Sequence, residues 1–152
     1  MNIQIDNRQS RIKIDRRRLR KITSGILKEL DSAEKEISIS LVDDETIRAL
    51  NRRYLGKDKP TNVLSFSMKE GDCGDINPDV LGDVVISVDT AERDAAKARW
   101  SAGEEIVYLL IHGILHLLGY NHENTSRKES LRMQQKEKEL FRKVISQGDF
   151  GL

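Results

Sequence analysis

The run Ile106-Val107-Tyr108-Leu109-Leu110-Ile111 is apolar on every side of a helix, and Leu115, Leu117 and Leu118 continue it. A helix of this kind has to be surrounded by the rest of the chain, so the fold must wrap around it. His112 and His116 interrupt the run. At a spacing of four they stack on one helical face, one turn apart. Gly119 is placed to end the helix, since glycine enters the left-handed conformation without steric cost. A reversal through Gly119, Tyr120 and Asn121 then brings His122 back towards the other two. The chain has three histidines in all, and this window holds every one. A lone imidazole on an apolar helix is ordinarily a satisfied core group. Three together at this spacing point instead to a metal cage with an open coordination position. His112, His116 and His122 are the expected ligands. Zinc is the first candidate; nickel, copper and iron also suit imidazole ligands.

The spacing is informative in what it lacks. In zincin-type proteases a glutamate follows the first histidine and serves as general base. Here Gly113 occupies that place. The extended metzincin pattern, a glycine and then a third histidine, is matched by Gly119 and His122. The cage of a metalloprotease is therefore expected without its base, which argues against ordinary peptide hydrolysis.

The stretch His112-Gly113-Ile114-Leu115-His116-Leu117-Leu118-Gly119-Tyr120-Asn121-His122 resembles the signature of the YbeY family, bacterial endoribonucleases of ribosomal RNA maturation. Two further stretches carry the same resemblance: Gly56-Lys57-Asp58-Lys59-Pro60-Thr61-Asn62-Val63-Leu64-Ser65-Phe66 and Leu81-Gly82-Asp83-Val84-Val85-Ile86-Ser87. It runs from about Leu41 to His122. Two positions depart from the family pattern: Asn121 stands where an aspartate is usual, and Leu55 where many members carry an arginine implicated in RNA cleavage. Neither departure touches the cage. The resemblance implies a zinc-dependent endoribonuclease with one ion per chain, acting on single-stranded RNA. It further implies a role in 3′-end maturation of small-subunit ribosomal RNA and in ribosome quality control, with the small ribosomal subunit as partner. In such an enzyme the ion either lowers the pKa of a bound water to about 7 or polarises the phosphate while the ribose 2′-hydroxyl attacks.

A chain of 152 residues is long enough for one core, and residues 1–152 are expected to form a single domain. No apolar run approaches a bilayer-spanning length, so no membrane role is expected. The start, Met1 to Asp6, lacks the basic-then-apolar layout of a secretory signal. Cys73 is the only cysteine, which excludes an internal disulfide. A cytoplasmic protein is expected. Cys73 reads as a surface thiol rather than a fourth ligand, and Asp72, Asp75 and Asp79 as solvated loop residues. The net charge of +1 gives no argument for nucleic acid; only the distribution of charge can.

Periodicity predicts an α+β fold, a small mixed sheet of about four strands packed with helices around the zincin-like metal helix. Ile3 and Ile5 alternate as a short strand that Ile12 and Ile14 extend or pair with. Asp15 is the expected cap of a helix from Arg16 to Leu30, with Leu19, Ile22, Ile26, Leu27 and Leu30 on its buried face. A strand follows at Glu36 to Val42. Asp43 or Asp44 caps a helix carrying Ile47, Leu50 and Tyr54, which Gly56 ends. Val63 to Phe66 and Leu81 to Ser87 are candidates for a hairpin around the Lys69 to Asp79 loop. Asp89 is expected to cap a helix from Ala91 to Arg99. Ser101 with Glu104, and Ser126 with Glu129, read as capping boxes for the histidine helix and for a last helix running to about Ile145. The apolar side of that last helix is expected to be Leu131, Leu140, Phe141, Val144 and Ile145. Trp100 reads as a packing residue, and Met133 as an ordinary helical methionine rather than a methionine turn.

Candidate substrate contacts follow from charge. Arg8, Arg11, Lys13, Arg16, Arg17, Arg18, Arg20 and Lys21 crowd the first helix. They form either a solvated face or a phosphate-contacting patch. Because Leu55 cannot supply the family's cation, Arg52, one turn back, is the candidate surrogate, with Lys57 competing. Two rival function classes remain: a metalloprotease-like hydrolase, and a structural zinc module that binds the ribosome without cutting.

Overall fold

In the computed structural model, which describes residues 2–68, 79–120 and 126–146, the expected α+β architecture is present. The chain begins with strand β1 (Ile3–Asn7), helix α1 (Arg16–Glu29), strand β2 (Glu36–Val42) and helix α2 (Asp44–Leu55). Strands β3 (Val63–Ser67) and β4 (Val80–Ser87) follow, then helices α3 (Val88–Ala98), α4 (Ala102–Leu117) and α5 (Arg127–Ser146). The sheet order is β1-β2-β4-β3. β1 and β4 flank β2 in parallel, and β3 joins β4 antiparallel, with Val63 opposite Ile86 and Ser67 opposite Gly82. The expected β3–β4 hairpin pairing is therefore present. Cys73, Asp72, Asp75, Asn121 and His122 lie outside the described residues.

Alternation sets the two faces of the sheet. Ile37, Ile39 and Leu41 of β2, with Val84 and Ile86 of β4, point into the main core. Val42, Leu64 and Val85 face the other way and pack under Ile47 of α2. α4 lies in the main core with Ile106, Val107, Leu110, Ile111, Ile114 and Leu115 fully buried. Each such side chain contributes about 1.5–3 kcal/mol by leaving water. No described helix is long and apolar enough to cross a membrane.

The caps follow the sequence closely. Asp15 accepts from the Arg18 N–H, and Asp43, not Asp44, accepts from the Thr46 N–H. Gly56 closes α2 in the left-handed conformation. Ser101 and Glu104 form a complete capping box on α4. At its other end the Gly119 N–H donates to the His116 carbonyl and the Tyr120 N–H to Leu115. This is a Schellman closure, and it requires the φ of +97° that Gly119 adopts.

Four expectations are corrected. Ile12 and Ile14 form no strand; the Gln9 side chain bonds both the N–H and the carbonyl of Ile12, and the two isoleucines pack on the core from a loop. The helix after β4 starts at Val88, capped by Ser87. Asp89 lies inside that helix and accepts from the Asp44 N–H, serving α2 rather than its own helix. Asp44 in turn takes hydrogen bonds from Ser87, Thr90 and Arg93. Burial works against its charge, but these three donors prevail and hold its carboxyl below the ordinary aspartate range. Finally, Leu131 and Ile145 are exposed on α5, while Met133 is fully buried. The inward stripe of α5 is Met133, Glu137 and Leu140, so a carboxylate stands at a core position.

α4 meets the sheet at Gly113. A Cβ built there would lie 2.7 Å and 3.0 Å from the two methyls of Val84 and 3.2 Å from Ser65 Oγ. Gly113→Ala is therefore expected to lower stability in denaturant titration by about 1–2 kcal/mol. Overpacking should outweigh the roughly 1 kcal/mol that alanine contributes to helix propensity. A variant as stable as the parent would show that Val84 yields freely.

Candidate metal centre

The last two turns of α4 carry His112 and His116 on one side, as their spacing predicts. Their ring centroids are 4.7 Å apart, nearly edge to face. Both open onto a cleft of about 500 Å³ between the end of α4, strand β3 and the loop after α2. Its other walls include Asn51, Leu55, Lys57, Lys59, Thr61, Asn62, Ser65 and Ser67. None of the described lining residues is acidic. Two histidines and two lysines thus line one space, a composition suited to an anion.

The loop that presents the lysines is clipped to α2. The buried Asn51 side chain donates to the Lys59 carbonyl at 2.9 Å, and the Lys57 N–H donates to the Asn51 carbonyl at 3.3 Å. Arg48 grips Asp58 through two nitrogens at 2.9 and 3.3 Å. That hydrogen bond chiefly holds the Asp58 carboxyl below the usual aspartate range, with Arg52 adding a weaker pull. Arg52 is exposed in the last turn of α2 and is not part of the cleft wall; Lys57 is. Leu55 lines the cleft, so the position at which the resemblance places an arginine does face the two histidines' space. Arg16 and Arg17 stand exposed at the start of α1, away from this wall.

The ring of His112 is oriented from behind. Its Nδ1 lies 2.9 Å from Glu137 Oε1. A carboxylate oxygen accepts, so Nδ1 donates and the lone pair is left on Nε2. Glu137 is only 5% exposed. Tyr108 stands one turn before His112 on α4, near the same carboxylate. Burial first, and then the neighbouring Glu137 carboxylate, push the Tyr108 phenol well above the ordinary tyrosine range, so it stays protonated. The Tyr108 ring is wedged against Phe141 at 5.5 Å and Trp100 at 5.7 Å, and Trp100 stacks on Phe141 at 5.1 Å. Trp100 is thus the packing residue expected.

The donor set fits a metal. A ligating histidine ordinarily donates its second ring nitrogen to a carboxylate, and His112 does. Gly113, in the place of a protease base, is pressed against Val84 and accepts a 3.3 Å hydrogen bond from Ser65 Oγ at its carbonyl. A glutamate side chain has no room there. Among the described residues no group of three or more metal-binding side chains is assembled, and His122, the expected third ligand, lies outside them.

Lys59, Asn51, Ser65 and Glu137 escaped the sequence reading. For Glu137 a signal existed: it falls in helical phase with Met133 and Leu140, where an apolar residue is due. The others are legible only once β3 and α2 are placed beside α4.

A model of the family described as Endoribonuclease YbeY matches residues 4–145. The Endoribonuclease YbeY of Syntrophus aciditrophicus is 53% identical over 141 residues, covering 93% of this chain and 88% of the relative. That of Geobacter sulfurreducens is 51% identical over 141 residues, covering 93% and 94%. The solution structure of TM1509 from Thermotoga maritima superposes with a TM-score of 0.68 at 28% identity, covering 95% of this chain and 90% of that one.

Asn51→Ala is expected to cost about 1–2 kcal/mol, because it leaves the Lys59 carbonyl without its donor. Hydrogen exchange at residues 57–62 should rise in the same variant. Unaltered exchange there would show that the Arg48–Asp58 pair alone holds the loop.

Proposed function

This chain belongs to the endoribonuclease YbeY family and is a hydrolase acting on RNA, and from that premise we propose that it is a zinc-dependent enzyme cutting single-stranded RNA. In this reading His112, His116 and His122 hold one ion, and the substrate is ribosomal RNA at the small-subunit 3′ end, in the cytoplasm. The observation that carries the reading is the cleft, where two converging imidazoles share a space with Lys57 and Lys59 and with no acidic side chain among its described walls. An acid-free wall favours a phosphodiester. The protease reading lacks its base, since Gly113 cannot be replaced by a longer side chain without displacing α4.

The residues divide the work. His112 and His116 supply ligand nitrogens from a rigid, buried helix, which keeps the site precise at little entropic cost. When bound, the ion stabilises negative charge on a phosphoryl oxygen and favours attack by water or by the ribose 2′-hydroxyl. Lys57 and Lys59 attract and hold the backbone phosphates on either side of the scissile bond. Asn51 and the Arg48–Asp58 pair fix the loop from which both lysines reach. Leu55 offers an apolar surface where an unpaired base can lie.

The decisive experiment is cleavage of single-stranded RNA beside casein, with metal-stripped protein and His116→Ala as controls. RNA should be cut and casein spared, and both controls should be inactive. Elemental analysis should find a near-stoichiometric transition metal that His116→Ala loses, and chelation should lower the melting temperature. A metal-free protein from zinc-replete medium would sink the metal assignment, and casein cleavage would restore the protease reading.

Single alanine variants at Lys57 and Lys59 should weaken RNA binding, each reducing the salt slope by about 0.7. Arg52→Ala should bind within about twofold of the parent, since Arg52 stands off the cleft wall. Leu55→Arg should raise the cleavage rate. Equal losses at Arg52 and Lys57 would revive Arg52 as the substitute for the absent arginine.

A further inference from the structure

Glu137 is a charged residue on the inward stripe of α5, where Met133 and Leu140 on either side are buried to 0% and 1% exposure. A carboxylate in such a place costs several kcal/mol unless its oxygens are well bonded, and a leucine there would be cheaper. The hydrogen bond described for it goes to His112 Nδ1 on α4, at 2.9 Å, and Tyr108 stands one turn before that histidine. The bond is not needed to join α4 to α5, which the apolar contacts of Met133, Leu140 and the Trp100–Tyr108–Phe141 cluster already do. Its effect is on the histidine. A carboxylate acceptor at Nδ1 places the ring proton there and the lone pair on Nε2. It also prevents rotation about the Cβ–Cγ bond, which would turn the wrong nitrogen to the cleft. Tyr108, held edge to face by Trp100 and Phe141, limits the space into which the carboxylate can swing.

We propose that Glu137 is a positioning residue for the metal centre, holding His112 in the tautomer and orientation that present Nε2 to the ion, with Tyr108 bracing the carboxylate from the preceding turn. The proposal rests on the metal reading above. It makes α5, remote from the cleft wall, part of the ion's support. It also accounts for a buried charge that packing does not explain.

The test is metal affinity of the full chain, measured by competition for Zn²⁺ against a chromophoric chelator. The visible spectrum of the Co²⁺-loaded protein is recorded beside it. Glu137→Gln preserves volume and one acceptor oxygen. It should weaken Zn²⁺ binding about tenfold, and Glu137→Leu, which removes the acceptor, more, within the roughly 10–100-fold range typical of outer carboxylates. The Co²⁺ bands should shift in both variants, while His116→Ala abolishes binding. Tyr108→Phe should show a smaller loss than Glu137→Gln. A merely structural role predicts the reverse pattern: a lower melting temperature of the metal-free protein with unchanged affinity and spectrum. That result overturns the positioning role and leaves the metal reading standing. A wild type that binds neither Zn²⁺ nor Co²⁺ overturns both. Glu137→Gln decides the question should Glu137→Leu fail to fold.

Discussion

The close contact between α4 and the β3–β4 pair governs this structure. A helix apolar on all sides must be enclosed, and it is: the sheet lies against one face and α3 and α5 against others. Gly113 lets the helix backbone approach until its carbonyl takes a hydrogen bond from Ser65. That approach sets the depth of the cleft, because His112 and His116 flank the contact on the same helix and β3 forms the opposite wall. A bulkier residue at 113 would press on Val84 and Ser65 and lift this part of α4 off the sheet.

The same contact governs what can stand between the two histidines. A glutamate between the two histidines would require the space that Val84 and Ser65 occupy. Among the described residues, the charged side chains of the cleft wall other than the histidines come from the loop after α2, and they are lysines. The loop is held by neutral and paired groups, Asn51 on the Lys59 carbonyl and Arg48 on Asp58. Asp58, between the two lysines, is taken up by Arg48, and no described residue of the cleft wall is acidic. Charge distribution does here what a net charge of +1 cannot.

Two carboxylates are bonded across elements. Asp44 ties α2 to α3 through Ser87, Thr90 and Arg93. Glu137 ties α5 to α4 at the point where the histidines begin. No described buried side-chain nitrogen or oxygen lacks a partner. A buried charge such as Glu137 is costly; Asp44 is only half-buried, and both stand at junctions between helices.

Sequence alone determined the elements and their ends, because those depend on local chemistry. Asp15, Asp43, Ser101, Gly56 and Gly119 cap or close helices through bonds to residues three or four away, and such bonds are visible as spacing. The pairing of His112 with His116 is local in the same sense. What required tertiary structure was everything joining distant segments. Ser87 took the cap expected of Asp89, because Asp89 is drawn to the start of α2, a contact spanning 45 residues. Ile12 and Ile14 alternate like a strand, but the Gln9 side chain takes both backbone groups of Ile12 and the two isoleucines pack from a loop instead. Arg52 and Lys57 are equally plausible cations on paper. The left-handed turn at Gly56 puts Lys57 on the cleft wall and leaves Arg52 outside it. Periodicity reports which face a residue occupies; only the packing of α5 on α4 decides that the carboxylate at position 137 meets an imidazole rather than water.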